Sequence, residues 1–146
     1  MAAIGNFKTG EHLRRDDVHG FEQSADRERL SATAQKAFCV LSQNWSLSNT
    51  EAAALLGVSE GAWKLIQARE WEQELSEDQL IRVSYLIGIY KGLHTIFADA
   101  MADRWPKLPN SNPVFQNRSP VAAMIGEGVP LMLETRRHVE AMQEGL

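Results

Sequence analysis

The sequence predicts an all-α fold in which a helix-turn-helix unit and a C-terminal helical unit share one long central helix. Three observations lead there. Apolar residues recur at helical spacing from Leu30 onward, no stretch alternates apolar and polar residues long enough for a strand, and serine-led cap signals precede the periodic runs. With 146 residues the chain can bury the core of one ordinary domain or of two small helical units.

Residues 1–29 carry Ile4, Phe7, Leu13, Val18 and Phe21 at irregular intervals among charged and glycine positions, which predicts a flexible arm. Residues 31–43 then place Ala34, Ala37, Phe38, Val40 and Leu41 on one helical face, as a core-facing helix requires. Ser48 and Glu51 form a capping box that opens a short helix over AAALL, and Gly57 ends it. Ser59 is placed to cap a further helix over EGAWKLIQAR.

Ser76 and Gln79 repeat the capping box and open the longest helix, expected from Glu77 to about Asp103. Leu80, Val83, Leu86, Ile87, Tyr90, Leu93 and Phe97 leave it apolar almost all round, so it is read as a central pillar or, in part, a dimer seam. Gly88 and Gly92 lie one turn apart, where another helix can come close. The prolines at 106, 109 and 113 mark a turn-rich connector. Ser119 and Pro120 start the next helix, Gly126 and Gly128 stop it, and the last helix begins near Val129. The expected units are 1–29, 30–75 and 76–146.

Composition narrows the function classes. No run approaches the roughly 18 apolar residues of a membrane span, and the N-terminus lacks the pattern of a secretion signal, so a cytoplasmic protein without membrane contact is expected. The formal net charge of −4 argues against a generic nucleic-acid coat. Cys39 is the single cysteine, set in an apolar helical pattern, and reads as an ordinary buried thiol.

Catalytic material is poor. His12, His19, His94 and His138 form no pair at metal-ligand spacing, and no phosphate-binding loop, dinucleotide fingerprint or nucleophile elbow occurs. Asp99 and Asp103 share a helix face but read as a solvated stripe, and His94 reads as a packing residue. No enzyme, metal or cofactor is expected.

Glu51 to Arg69 has the layout of a helix-turn-helix, with small Ala53 where the helices meet, Gly57 in the turn, and Val58, Trp63 and Ile66 as anchors. Its candidate DNA-reading residues are Ser59, Glu60, Lys64, Gln67 and Arg69, opposed by Glu70, Glu72 and Glu74. The element reads either as a dimeric DNA reader or as a structural or dimerisation relic of that fold. The last helix carries Met132, Thr135, Val139 and Met142 on roughly one face, beside Arg136 and Arg137. It reads either as a helix docked on its own core with two solvated arginines, or as a tip presented to a partner.

Taken together, TEAAALLGVSEGAW, LSEDQLIRVSYLIGIYKGLHTIF, WPKLPNSNPVF and SPVAAMIGEGVPLMLETRRHVEAM resemble the antitoxins of the Xre/MbcA/ParS type with their C-terminal toxin-binding domain. The likeness covers roughly residues 48–146. It implies a bacterial type II toxin–antitoxin module whose antitoxin silences a RES-domain toxin that degrades NAD or uses it for ADP-ribosylation. In that family the C-terminal region plugs the NAD-binding cleft, and the helix-turn-helix often represses the operon.

Carried onto this sequence, the matching positions are Arg136, Arg137 and Glu140 with the tail to Leu146, and with the apolar groups of the same helix the candidate toxin-binding set is Met132, Arg136, Arg137, Val139, Glu140, Met142, Gln143, Glu144 and Leu146. Glu140, Glu144 and the terminal carboxylate suit cationic phosphate sites, the arginines suit rim carboxylates, and Met132, Val139 and Met142 supply apolar contact. Deleting residues 136–146 is expected to abolish neutralisation and leave a folded protein. The sequence departs from the family pattern at Glu60 and Gly61, a departure that bears on DNA binding alone. A homodimer within a toxin–antitoxin hetero-oligomer is expected, with operator DNA as a further partner. The alternative is a stand-alone helix-turn-helix repressor.

Overall fold

The computed structural model describes residues 24–145, and these are helical with no strand. The helices are α1 (Ser24–Asn44), α2 (Asn49–Leu56), α3 (Glu60–Gln67), α4 (Glu77–Ile96), α5 (Asp99–Arg104), α6 (Pro120–Glu127) and α7 (Val129–Glu144), with a 3-10 turn at Trp105–Lys107. Local chemistry sets most of the starts. Ser48, Ser59, Ser76 and Ser119 each accept a backbone N–H from three residues ahead, and Glu51 and Gln79 complete the two capping boxes.

Helix α1 begins at Ser24, so the expected arm of 1–29 is too long at its C-terminal side. Once the buried half from Ser31 onward is anchored, extending a helix adds one bond per residue fixed, and the Asp26–Arg29 pair at 2.8 Å supports the added turn. The rest of the expected arm, 1–23, lies outside the described residues.

The expected helix from Glu77 to Asp103 is two helices. Phe97 and Ala98 are extended, with ψ of 156° and 154°, and α5 turns away at Asp99. The turn brings Ala102 and Trp105 back into the core. His94 holds the corner, its Nδ1 2.9 Å from Asp99 and its Nε2 2.8 Å from Asp103, with its ring against Tyr90. The two aspartates are therefore tied to His94, although Asp99 keeps most of its side chain in water.

Helix α4 is the pillar. It packs most extensively on α7, then on α1, and also meets α5 and α2. Its buried face holds Leu80, Val83, Leu86, Ile87, Ile89 and Leu93; Tyr85, Tyr90 and Ile96 lie against the same core, and Ile81 is half-buried. Intramolecular partners thus cover most of the apolar surface of this helix. One hydrophobic core continues from Ala34 through Trp63 and Leu86 to Val139, so it crosses the boundary expected at 75/76.

The helix-turn-helix is bolted to its neighbours. Gly57 takes φ 82° in the turn, where glycine carries no steric penalty, and Gln79 on α4 donates to its carbonyl at 3.0 Å. Trp63 is buried against the edge of Phe38 and donates its indole N–H to Asn49. Lys107 reaches across to the Ser46 carbonyl at 2.8 Å and to Glu51 at 3.1 Å. Burial opposes ionisation of Glu51, but the Ser48 backbone N–H and the Lys107 cation outweigh it and hold the carboxyl below its ordinary value.

Candidate partner-binding surface

The C-terminal unit is assembled from a stiff connector and two helices at a glycine corner. Asn110 and Asn112 each accept, through the side-chain carbonyl, a backbone N–H two residues on, and main-chain bonds tie Asn110 to Asn117 and Arg118. Pro120 then occupies the first turn of α6, and Gly128, at φ 75°, turns the chain into α7. A sidechain at 128 would meet no neighbour, so its positive φ is what calls for glycine.

Helix α7 has two distinct faces. Leu131, Met132, Thr135 and Val139 are buried, and Thr135 donates its hydroxyl to the Leu131 carbonyl at 2.8 Å. Glu134, Arg137, Glu140, Ala141 and Glu144 face outward and are exposed. His138 was not foreseen as a structural group. Its ring stacks on Trp105 and meets the edge of Phe115 at 5.5 Å, clamping α7 to the connector, and burial pushes its pKa down.

This arrangement revises the expected binding residues. Met132 and Val139 are 0% and 1% exposed, so they pack the protein's own core and offer no apolar contact to a partner. Arg136 is a packing group, with its guanidinium over the Tyr85 ring, its stem above Gly88 and its Nε 3.5 Å from Glu140. Gln143 lies against Gly92, and Met142 is partly buried on the core. Arg137 is exposed and paired with Glu134 at 3.2 Å. Arg137, Glu140 and Glu144 remain as the outward charged groups of the expected set, and Leu146 lies outside the described residues. The reading of α7 as a helix docked on its own core thus holds for one face, with one arginine solvated and the other packed.

On the helix-turn-helix the structure separates the expected reading residues. Ser59 is engaged as the cap of α3, and the Glu60 carboxylate accepts from the Thr50 hydroxyl at 3.1 Å. Lys64 and Gln67 are exposed on the helix. Arg69 is not on it: α3 ends at Gln67, and Arg69 follows the cap in a left-handed conformation at φ 61°. There it lines, with Gln67, Ser31, Cys39 and Trp71, an open groove of about 580 Å³ between α1 and the segment after α3. Desolvation raises the Cys39 thiol above its ordinary pKa, against a smaller opposing pull from Arg69, which favours the unreactive form.

Among the described residues no group of three or more His, Cys, Asp or Glu side chains is placed to hold a metal ion, and no helix is long and apolar enough to cross a membrane. No protein-family model, characterised protein or solved structure matches this chain. The likeness to the Xre/MbcA/ParS antitoxins rests on the sequence motifs.

Proposed function

We propose that this chain is the antitoxin of a bacterial type II toxin–antitoxin system and neutralises a RES-domain toxin by covering its NAD-binding cleft with the outer face of α7 and the tail beyond it. The observation that carries the reading is the outward charged stripe of α7, Glu134, Arg137, Glu140 and Glu144, set on a helix whose opposite face is locked into the core. A preorganised helix loses little conformational freedom on binding, which favours affinity from a small surface.

In this reading Glu140 and Glu144 enter cationic sites that otherwise hold the dinucleotide phosphates. Arg137 pairs with carboxylates at the cleft rim, and the buried Met132 and Val139 act by holding the stripe in place. The chain carries no catalytic chemistry of its own, works in the cytoplasm, and acts as a homodimer inside the hetero-oligomer. Co-expression with a RES-type toxin tests the proposal: the native chain rescues growth, whereas E140K/E144K does not. Full rescue by that variant would sink the cleft-blocking role.

Autorepression through the helix-turn-helix, and the stand-alone repressor alternative, would rest on Glu60, Lys64 and Gln67, because Ser59 is used as a cap and Arg69 lies off the helix. A salt-dependent gel shift on the chain's own upstream region supports either; no sequence-dependent shift removes both.

A further inference from the structure

We infer that the open groove between α1 and the segment after α3 is the seat of this chain's own N-terminal segment, with residues 13–20 lying along it antiparallel to α1. The groove, of about 580 Å³, follows α1 from Glu28 to Gln43. Val40, Ile66 and the Trp71 ring give it apolar surface, interrupted by glutamines and charged groups. That mixture suits a peptide, which carries both kinds of group along its length.

Trp71 marks the place. Its indole N–H is shut away from water yet has no acceptor among the described residues, and an unpaired buried donor is costly. Trp45 shares that lack but is sealed in the core at 1% exposure. Trp71 is half-buried, and it borders both this groove and a second recess at Arg27, beside the start of α1. A segment laid in extended form against Trp71 brings a backbone carbonyl with every residue, the type of acceptor this donor lacks.

Attachment and length select the occupant. The N-terminal segment is joined directly to Ser24, the first residue of α1, and Glu28 and Ser31 in the next turns already line the groove. From Glu28 to Gln43 the helix rises about 22 Å, which about seven extended residues cover at about 3.3 Å each. Gly20 is placed for the reversal, since glycine accepts the backbone conformations of a tight turn. With Gly20 level with Glu28, Val18 comes level with Ala32, Asp17 and Asp16 with Gln35 and Lys36, and Leu13 with Gln43. Such a tether also supplies an effective concentration on the order of millimolar, which favours this segment over a separate partner.

The order of charges agrees with that register. The groove's cations are Lys36 and Arg69, both exposed, and no ion pair engages either among the described residues. Arg69 is near enough to Cys39 to act on its thiol, which sets it about one turn of α1 beyond Lys36. Asp16 and Asp17 therefore arrive beside both cations. Toward the start of α1 the groove carries Glu28 and Glu74, the latter held there by the Ser31–Leu75 bond, and the segment presents Val18, His19 and Gly20, none of them acidic. The inference does not depend on the antitoxin reading.

Cys39 lines the groove and is the chain's single cysteine, so its rate of reaction with a bulky aromatic disulfide reagent reports whether the groove is covered. In the full-length chain at fixed pH, D16K/D17K and V18D should each raise that rate about tenfold, as when a groove open in about a tenth of the molecules becomes open in all. K36E/R69E should also raise it, although loss of Arg69 by itself favours the less reactive thiol form. D16K/D17K/K36E/R69E should restore the slow rate, which separates a restored contact from misfolding. In nuclear magnetic resonance spectra of the native chain the Trp71 indole N–H, assigned through W71F, should show contacts to residues 13–20. Equal rates in the native chain and D16K/D17K, no restoration in the fourfold variant, or no contact between Trp71 and residues 13–20 would overturn the inference. So would a native rate that falls as protein concentration rises, because it gives the groove to a second copy.

Discussion

Val139 Cγ1 sits in the gap that Gly92 leaves on α4, so closely that a Cβ at residue 92 would stand 2.6 Å from it. This contact fixes how near α7 lies to the pillar, and it explains why α4 tolerates a glycine in its interior.

Gly92→Ala is expected to destabilise the protein by about 1–3 kcal/mol through overpacking, after offsetting a helix-propensity gain of about 1 kcal/mol. Gly88→Ala meets instead the Arg136 side chain, with Nε at 2.9 Å, which can swing aside into solvent. It should be near neutral or stabilising. Urea unfolding of both variants checks the contrast, and equal effects would show that α7 is not seated through Gly92.

Ser31 is 2% exposed, and its Oγ accepts the Leu75 backbone N–H at 2.8 Å, tying α1 to the residue before the α4 cap. Ser31→Ala leaves that buried donor without its partner and should cost about 1–3 kcal/mol. Hydrogen exchange at Leu75 should accelerate beyond the global change; unchanged exchange there would contradict the assignment.

Stability should fall on acidification. Burial lowers the folded-state pKa of His138 below the ordinary 6.5, so the unfolded chain takes up its proton first and stability is lost as pH falls from that value through the folded pKa. Glu51, held below the ordinary 4.5, adds a second loss at lower pH as it protonates in the folded state. His138→Phe should flatten the first window alone and Glu51→Gln the second. Denaturation midpoints across pH that leave His138→Phe parallel to the native protein would exclude the first origin.

Removing residues 136–146 should unfold or loosen the protein, because it takes Val139 from the core and uncovers Gly92. A truncation of that size therefore cannot separate binding from folding, contrary to the expectation from sequence. E140K/E144K changes only exposed groups and should keep the native melting temperature. Circular-dichroism melts of the two variants separate these outcomes.

Capping and turn chemistry were legible because they act over three or four residues. Ser48, Ser59, Ser76, Ser119 and Gly57 announce themselves without knowledge of any distant contact. The corner at Phe97 was hidden, since no proline or glycine marks it and Phe97 and Met101 continue the helical spacing. What breaks the helix is the return of Trp105 to the core and the grip of His94 on Asp99 and Asp103, contacts within the folded corner that no periodicity encodes.

The candidate surface divides in the same way. Sequence alone determined that α7 is an amphipathic helix started by Pro130 after Gly128, and that α2 and α3 form a helix-turn-helix, because both follow from local periodicity and caps. Only the tertiary structure decided which groups remain for a partner. Met132 is spent in the core, Val139 on α4 and Arg136 on Tyr85 and Gly88, whereas Arg69, Glu140, Glu144, Gly61 and Leu65 stay at the surface. The physical reason is that burial belongs to pairs of elements: a helix carries its own stripe, but the neighbour that comes to cover it settles which side chains are left in water.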